Sequence, residues 1–536
     1  MKKIKQYLVF LSSSLVSLTC LAEGIVNATQ DGMLGLYQSS DITITTGQCT
    51  DCPIPPQARW YFKNELIAVP KPSVPMAGFS TTENAQQDIL KTLDTKALPV
   101  LIWVGSHQIA DDVAISSTGH MMTLDNGFEY KFNIVPKIST NLSYWDHSTL
   151  HFFHQRLVRA RGELEGETFT ARTVWPLDFT VNPQASLKPL AQNETLKTLV
   201  QFENGGAKSA YESRLLWERK PGIAKQSASK AVMAFMLNGA QGDDDEAHGG
   251  HFAVVTGRME ADGNPSRWLV NNFYNLASNS EKGIIAGVTP LDKYLMDLNN
   301  GQSFYRPSYM LVAVLKNDTL PQQYQAAINR VYHHFYRNDF VYDHSRDNCS
   351  GISIDTLRTL GWEIPTRGVE SQLKATAAYF YVSATERSLT KGRAIYDYLN
   401  TETTLLFPAV AFDAIGNDLL NQANARLAMQ QADSAFITKL RQDIEAIYFV
   451  RIPQIPSSRA YGLAPVYSFN QFMAQAPADR SQWKIVPVTP NPLPEDLKNG
   501  LALKLKKPSL VPWPVVLVLL GLFTLALLSL KRHIRH

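Results

Sequence analysis

The stretch HGGHFAVVTGR at residues 248–258 decides the fold class, because a glycine-rich loop leads directly into a strand pattern. Its residues 252–256 are apolar or β-branched, and a polar Asp-Gly-Asn-Pro turn follows at residues 262–265. A second strand pattern then runs from Trp268 to Tyr274. Two such runs joined by turn residues predict a pair of adjacent strands, the first of which begins at His251.

A second stretch, DNCSGI at residues 347–352, predicts the beginning of a helix. Asn348 is a good N-cap residue, and apolar or small side chains recur on one face at positions 352, 356, 357 and 360. Gly361 is a candidate for the residue that ends this helix. Cys349 would lie in the first turn, where free backbone N–H groups and the helix dipole favour a thiolate. We therefore expect the pKa of the Cys349 thiol to lie below its ordinary value of about 8.5.

A reactive thiol needs a base, and the strand pair supplies candidates. His251 would take the thiol proton and later protonate the leaving group, and His248 is the alternative base. A third polar group would orient the imidazole, and Asn271 and Asn272 lie on the second strand. Because neighbouring side chains of a strand point to opposite faces, only one asparagine can serve. We prefer Asn272 and keep Asn271 as the alternative.

Both stretches resemble known groups of cysteine enzymes. The DNCSG run at residues 347–351 looks like the helix-opening motif of NlpC-type cell-wall cysteine peptidases. The HFAVVTG run at residues 251–257 resembles the histidine strand of the lecithin retinol acyltransferase-like group. The order of His251, the asparagine and Cys349 is that of the permuted papain-like arrangement. The resemblance covers about residues 240–365, and it includes uncharacterised, membrane-anchored periplasmic proteins of bacteria.

The resemblance implies a permuted papain-like α+β domain in which Cys349 and His251 act on an amide or ester bond. The implied function is a membrane-anchored envelope cysteine hydrolase, of the peptidase or amidase kind, or an acyltransferase. A cell-wall peptide or a lipid acyl group is the implied substrate. The alternative is an inactive version of the same fold that serves as a membrane-tethered binding or scaffold module. The long interval between His251 and Cys349 predicts helical insertions at residues 286–340.

The first residues predict a secretory signal peptide. Lysines at positions 2, 3 and 5 precede a serine-diluted apolar run, and small residues lead up to Ala22. This pattern is typical of cleavage after Ala22, so we expect residues 1–22 to be removed. Lipid attachment at Cys20 is the alternative.

The last residues predict a single transmembrane helix at residues 511–530. This segment is almost wholly apolar, it has Trp513 near one edge, and basic residues follow it from Lys531 onward. Its length matches the hydrocarbon core of a bilayer, and positive charge stays on the cytoplasmic side. We therefore expect a single-pass protein of the bacterial inner membrane, whose bulk lies in the periplasm and whose short C-terminal tail lies in the cytoplasm.

The cysteine count points to one disulfide and one free thiol. Removal of Cys20 with the signal peptide leaves Cys49, Cys52 and Cys349. Cys49 and Cys52 lie in a loop bounded by glycine and prolines, which favours a structural disulfide over a redox or metal role. Cys349 is then left as a free thiol in an oxidising compartment, which is typical of a reactive residue.

Metal, cofactor and nucleic acid are not expected partners. The histidines at positions 147, 151 and 154 would share one face of a helix as metal ligands can, but a polar turn leading into the strand at Leu157 is the preferred interpretation. The chain has 51 Lys and Arg against 48 Asp and Glu, and these charges are dispersed. A dispersed and nearly balanced charge gives no basic footprint for nucleic acid.

The pattern along the chain predicts an α+β protein with several regions. We expect a β-rich, sandwich-like domain at residues 23–185, the papain-like domain at 190–370, a helical extension at 371–450 and a Pro-rich polar linker at 451–509. Within them we expect a strand at 59–69, hairpins that turn at 124–127 and 165–166, helix at 190–235 and an uninterrupted helix at 417–449.

Overall fold

The computed structural model describes residues 24–49, 54–71, 101–135, 145–201, 210–238, 250–273, 286–297, 307–336, 342, 347–424, 433–456, 465–475, 494, 496 and 509–533. The expected signal peptide at residues 1–22 lies outside them, as does His248. Helices and strands are mixed along the described chain, so the α+β class is confirmed at this level.

The strands are numbered in chain order. They are β1 Ile25–Asn27, β2 Met33–Leu34, β3 Tyr37–Gln38, β4 Ile42–Thr46, β5 Leu66–Pro70, β6 Ile102–Gly105, β7 Gln108–Ile115, β8 Met121–Thr123, β9 Glu129–Ile134, β10 Leu157–Glu165, β11 Thr168–Pro176, β12 Glu212–Glu218, β13 Ala231–Asn238, β14 His251–Arg258, β15 Leu269–Phe273, β16 Ala286–Pro290, β17 Ser308–Leu315 and β18 Ile444–Ile452.

The helices are numbered in the same way. They are α1 Pro56–Tyr61, α2 His147–His154, α3 Leu196–Gln201, α4 Leu291–Met296, α5 Thr319–Tyr336, α6 Cys349–Thr359, α7 Gln372–Thr385, α8 Leu389–Asn400, α9 Thr403–Leu406, α10 Pro408–Ala423, α11 Ala435–Asp443, α12 Phe469–Gln475 and α13 Trp513–His533.

A large sheet forms the middle of the molecule, with the strand order β12-β18-β17-β13-β14-β15-β16-β6-β5-β4. Its central strands β13 and β17 are buried at every position. Such continuous apolar strands fit a sheet that is covered on both faces. Alternate residues of β13 point to opposite faces of the sheet. Met233 and Phe235 pack in the core on one face, whereas Val232 and Ala234 pack in the core on the other.

The two covers of the large sheet differ. Helices α5, α6, α10 and α11 contribute Tyr324, Leu357, Phe412 and Leu440 to the core on one face, here called the helix face. The opposite face, here called the small-sheet face, packs against α4 and a second sheet with the order β1-β7-β10-β11-β9-β8. The molecule therefore has three layers, with the large sheet between helices and a smaller sheet.

Buried ion pairs join the small sheet to α4. The Arg159 guanidinium contacts Asp31 at 2.5 Å, Asp111 at 2.6 Å and Asp292 at 3.1 Å. Arg161 contacts the same Asp292 oxygen at 2.6 Å. Burial acts to raise the pKa of Asp31, but the neighbouring guanidinium groups outweigh it and the pKa is lowered. Buried charges are tolerated only when they are paired in this way.

The predicted hairpins are confirmed. Strands β8 and β9 pair antiparallel on either side of the turn at residues 124–127. Strands β10 and β11 pair antiparallel around residues 165–166. Both turns carry a glycine with positive φ, Gly127 and Gly166, a conformation that glycine adopts without the steric cost of a side chain.

The helical prediction for residues 190–235 is largely wrong. In the described part of this range the one α-helix is α3, with a short 3-10 helix at Ile223–Gln226, and the apolar run at residues 215–217 belongs to strand β12, which pairs with β18. A short apolar run does not distinguish a strand from a buried helix. The strand predicted at 59–69 is also wrong in part, because helix α1 begins at Pro56 and the strand β5 begins only at Leu66.

The uninterrupted helix predicted at residues 417–449 is wrong in its middle and at its C-terminal end, because helix α10 ends at Ala423 and a new helix, α11, begins at Ala435. Helix α11 ends at Asp443, and β18 begins at Ile444 and pairs with β12 and β17 in the large sheet. Its sequence, IEAIYFVRI, is rich in β-branched and aromatic residues, which are typical of strands. The helical extension predicted at 371–450 therefore includes a strand, and the linker predicted at 451–509 begins inside that same strand.

The β-rich domain predicted at residues 23–185 is divided between the two sheets, because strands β1 and β7 to β11 form the small sheet whereas β4 to β6 belong to the large one. Strands β4, β5 and β6 from the predicted domain at 23–185 join the large sheet through a parallel pair between β6 and β16. The insertions predicted as helical at residues 286–340 contain two strands, β16 and β17, as well as helices α4 and α5. Pairing between residues distant in sequence decides these assignments, and a local pattern does not record it.

Candidate active site

Cys349 is the first residue of helix α6, as the sequence predicts. The side-chain oxygen of Asn348 accepts hydrogen bonds from the backbone N–H groups of Ser350 and Gly351, both at 2.9 Å. The Asn348 amide also donates to the carbonyl of Leu406 at 3.1 Å. The N-cap prediction is thus confirmed, and the second bond fixes the start of α6 against α9.

His251 is the first residue of strand β14 and is buried. Its ring atom Nε2 lies 3.0 Å from Oδ1 of Asn272 on the neighbouring strand β15. An amide oxygen only accepts hydrogen bonds, so Nε2 carries the hydrogen in this arrangement. The neutral imidazole then has Nδ1 as its basic nitrogen.

The two asparagines point to opposite faces of the large sheet, as the sequence predicts. Asn272 contacts His251. Asn271 accepts from Gln325 of helix α5 at 2.6 Å and donates to the carbonyl of Val254 at 3.0 Å. Asn271 therefore belongs to the helix face of the sheet, and Asn272 is the asparagine that orients the imidazole.

Strand alternation also places the His251 side chain. Phe252 and Val254 pack in the core of the helix face, whereas Ala253 and Val255 pack in the core of the small-sheet face. Because side chains alternate along a strand, His251 leaves β14 on the small-sheet face. Helix α6 covers the helix face, so His251 and Cys349 belong to opposite faces of β14, and both line one cavity at the end of the strand.

A small cavity, here called the thiol cavity, lies at this point. It is lined by His251, Phe252, Asn271, Ile328, Tyr332, Cys349, Ile352 and Ser353. It offers about 10 Å³ to the centre of a water molecule, which is close to the minimum that one water requires. An acyl substrate needs more room than this, so its binding requires the cavity to widen.

The thiol of Cys349 is held in its neutral form. Burial raises its pKa above the ordinary value, although hydrogen bonds from the Phe252 backbone, from Ser350 and from Tyr342 act to lower it. The expectation of a lowered pKa is therefore wrong for this conformation, because the desolvation of a buried thiolate outweighs the helix terminus.

Tyr342 is a residue of this site that the sequence does not reveal. Its hydroxyl accepts a hydrogen bond from the backbone N–H of Cys349 at 3.3 Å, and it also bonds the thiol. No periodic pattern or motif marks Tyr342, which lies in a polar stretch before DNCSGI. Only the fold brings its hydroxyl to the first turn of α6.

The remaining sequence candidates lie elsewhere. Cys49 is disulfide-bonded, but Cys52 lies outside the described residues, so their pairing stays a prediction. Cys349 is a free cysteine. The base alternative His248 also lies outside the described residues.

The histidines at positions 147, 151 and 154 form helix α2 rather than the polar turn that we preferred. The Nδ1 atom of His154 is 2.7 Å from the carbonyl of Ile115. In the part of the chain that the structure describes, no group of three or more His, Cys, Asp or Glu side chains is arranged to hold a metal ion.

Helix α13 is long and apolar enough to cross a membrane. Its segment Trp513–Leu530 has a mean hydropathy of 2.4, and 6% of it is buried in the molecule. A core helix of a soluble protein would be mostly buried, so the exposure of this segment favours a membrane span.

Comparison of the chain with models of protein families, with curated proteins and with solved structures finds no match.

Proposed function

We propose that this chain is a membrane-anchored envelope enzyme that transfers an acyl group through Cys349, either to water or to another acceptor. One observation carries the proposal. The thiol at the N-terminus of α6 shares a cavity with His251, whose ring is held by Asn272 at 3.0 Å. A thiol, an imidazole and a group that orients the imidazole are the parts that nucleophilic acyl transfer requires. The resemblance of both motifs to permuted papain-like enzymes adds to this argument.

The proposed reaction begins with proton transfer from the thiol to Nδ1 of His251. The sulfur then attacks the carbonyl carbon of an amide or ester and forms a C–S bond, and the carbonyl oxygen becomes an oxyanion. When the tetrahedral intermediate collapses, the bond to the leaving group breaks and His251 returns the proton to that group. Water or another acceptor then attacks the thioester and regenerates the thiol.

The raised pKa of Cys349 assigns His251 a particular role. A thiol that is neutral at rest has to be deprotonated when the substrate is bound, so His251 acts as a general base in the attack itself. Hydrogen bonds at catalytic groups are often incomplete without substrate. Widening of the thiol cavity by the substrate would bring the imidazole and the thiol together.

The backbone N–H of Cys349 is the natural donor to the oxyanion. In the structure it donates to Tyr342 at 3.3 Å. A substrate carbonyl oxygen would replace the phenol oxygen at this N–H, and the Tyr342 hydroxyl would then be placed to donate to the same oxyanion. Two donors at this point would act in the way that oxyanion holes do.

The proposed location is the periplasmic face of a bacterial inner membrane. The exposed apolar helix α13 supports a single membrane span, and the basic residues after Leu530 favour a cytoplasmic C-terminus. The sequence pattern at residues 1–22 supports export by a cleaved signal peptide. Cell-wall peptides and lipid acyl groups both occur in this place, and we propose these two substrate classes.

A second candidate function is a binding or scaffold module without catalysis. The observation that favours it is the closed site, since Cys349 is 8% exposed and His251 is 2% exposed. A buried neutral thiol is also what a structural cysteine has. Under this alternative, the polar groups at the end of β14 serve only to stabilise the fold.

Complementation of a deletion strain separates these functions. We expect Cys349→Ala and His251→Ala at matched protein levels to fail, because each removes a reacting group. Glu167→Ala is the control, since Glu167 lies in the exposed turn between β10 and β11 and does not line the thiol cavity. Full rescue by both Cys349→Ala and His251→Ala would end the enzyme proposal and leave the binding module.

A further inference from the structure

The helical hairpin α7–α8 packs against the beginning of α13. Val515 is fully buried in a cluster with Tyr379 and Tyr396, and Val511 packs against the same cluster. The Tyr379 hydroxyl donates to the carbonyl of Leu510 at 3.0 Å, and Arg393 donates to the carbonyl of Ser509 at 2.8 Å. The hairpin is therefore fixed to the first turn of the apolar helix by both apolar and polar contacts.

The length of α13 sets the depth of this contact. The 18 residues of its apolar segment, Trp513–Leu530, span about 27 Å at about 1.5 Å per residue. The hydrocarbon core of a bilayer is about 30 Å thick, so a membrane span needs the whole segment. Val515 lies inside that segment and is covered by the hairpin. The hairpin must then lie at the surface of the bilayer, at the depth of the lipid headgroups.

A second face of α7 is apolar and exposed. Leu373 and Tyr381 are 81% and 70% exposed, and Ala377 and Ala384 are exposed between and beyond them. Positions 373, 377, 381 and 384 recur at helical spacing, so they form one stripe along α7. A contiguous exposed apolar stripe of this kind is a candidate contact surface.

Charges and aromatic groups at the hairpin suit a lipid surface. Lys374 and Arg387 are exposed on α7 and on the turn, and anionic lipid headgroups attract such side chains. Lys391 on α8 is also exposed, but it pairs with Glu386 at 2.6 Å. Tyr381 on the stripe and Trp513, which is 70% exposed at the start of α13, are of the two residue types that concentrate at membrane interfaces.

We infer that the exposed stripe of α7 lies in the interface of the same bilayer that α13 crosses, so that the hairpin is a second membrane contact. The inference rests on the proposed membrane anchoring and goes beyond it. A span alone leaves the domain free to tilt on its tether. A helix lying in the interface fixes the orientation of the domain, and with it the direction in which the thiol cavity faces the membrane.

Depth measurement by spin labelling tests this inference on the full chain in lipid vesicles. A nitroxide is attached to one added cysteine in the Cys349→Ala background, at Leu373→Cys or Tyr381→Cys. The same background without an added cysteine is treated in parallel to show that Cys49, which is disulfide-bonded, and Cys52 take up no label. Collision rates with oxygen, which enriches in lipid, and with a water-soluble nickel complex are compared. Phe523→Cys in the middle of α13 reports the bilayer, and Glu167→Cys in the exposed turn between β10 and β11 reports water.

We expect labels at 373 and 381 to have a several-fold higher ratio of oxygen to nickel collisions than the label at 167, and a lower ratio than the label at 523. If the labels at 373 and 381 have the same collision ratio as the label at 167, while the label at 523 has the ratio of a lipid environment, the hairpin contact is overturned and the anchoring by α13 stays intact. A label at 523 in water would remove the anchoring itself. Spin–spin broadening between chains at 381 would show a second copy on the stripe and would also overturn the inference.

Discussion

The pH dependence of the Cys349 thiol gives the most direct test of the site. The thiolate is the reacting form of a cysteine, and burial raises the pKa of Cys349 above its ordinary value. The thiol should therefore stay protonated at neutral pH. We expect alkylation by iodoacetamide to accelerate steadily with pH and to show no plateau on the acid side.

The magnitude follows from the protonation equilibrium. Below the pKa, the thiolate fraction rises about tenfold per pH unit, so the rate should rise about a hundredfold between about pH 6.5 and about pH 8.5. The absolute rate should be low, because Cys349 is 8% exposed and the thiol cavity has room for about one water. A bulky maleimide should react more slowly than iodoacetamide relative to their rates with a free thiol.

The assay uses the full chain in detergent, with the alkylated Cys349 peptide quantified by mass spectrometry at each pH. His251→Ala is the matched variant, and it should leave the pH profile unchanged, because burial and hydrogen bonds from the Phe252 backbone, Ser350 and Tyr342 are the main influences on the pKa of this thiol. A rate plateau below about pH 7 that His251→Ala abolishes would show a thiolate–imidazolium pair. That result would refute the neutral thiol and restore the expectation from the sequence.

Three further predictions concern groups around the site and the layers. Asn348→Ala should destabilise the protein by about 2–4 kcal/mol, because the helix cap is lost and the buried carbonyl of Leu406 loses its donor; Asn348→Asp, which keeps the cap, should cost less in the same urea-dependent proteolysis. Tyr342→Phe should lower kcat by about 10- to 1000-fold with little change in KM if the hydroxyl supports the oxyanion. A rise in KM as large as the fall in kcat would contradict that role. Arg159→Ala should lower the free energy of unfolding by about 3–5 kcal/mol, since it leaves the carboxylates of Asp31 and Asp292 buried with fewer positive partners. If the variant becomes sensitive to proteolysis at the same urea concentration as the wild type, this prediction is wrong.

Local features of the site follow from the sequence because their causes are local. The N-cap at Asn348, the start of β14 at His251 and the hairpins at residues 124–127 and 165–166 depend on residues within a few positions of each other. Capping and turn formation satisfy backbone groups of the same segment. The opposite directions of Asn271 and Asn272 follow in the same way from the period of a strand.

The membership of the large sheet could not be predicted from the sequence. The strand Ile444–Ile452 lies between β12 and β17 because its side chains are buried by both, and the partners are more than a hundred residues away along the chain. Taken alone, its sequence is interpreted as a continuation of the helix predicted to begin at residue 417. The same reason explains strands β4 to β6, which extend the large sheet although the sequence pattern predicts that they belong to a separate β-rich domain.

The chemistry of the thiol was likewise decided by the tertiary structure. The sequence by itself determined that Cys349 begins a helix, and a helix N-terminus lowers the pKa of a thiol. The fold then covers that position with β14, Tyr332 and Tyr342, and removal of water raises the pKa more than the helix lowers it. Desolvation depends on every atom that surrounds a group, so only the assembled structure could decide which effect is larger.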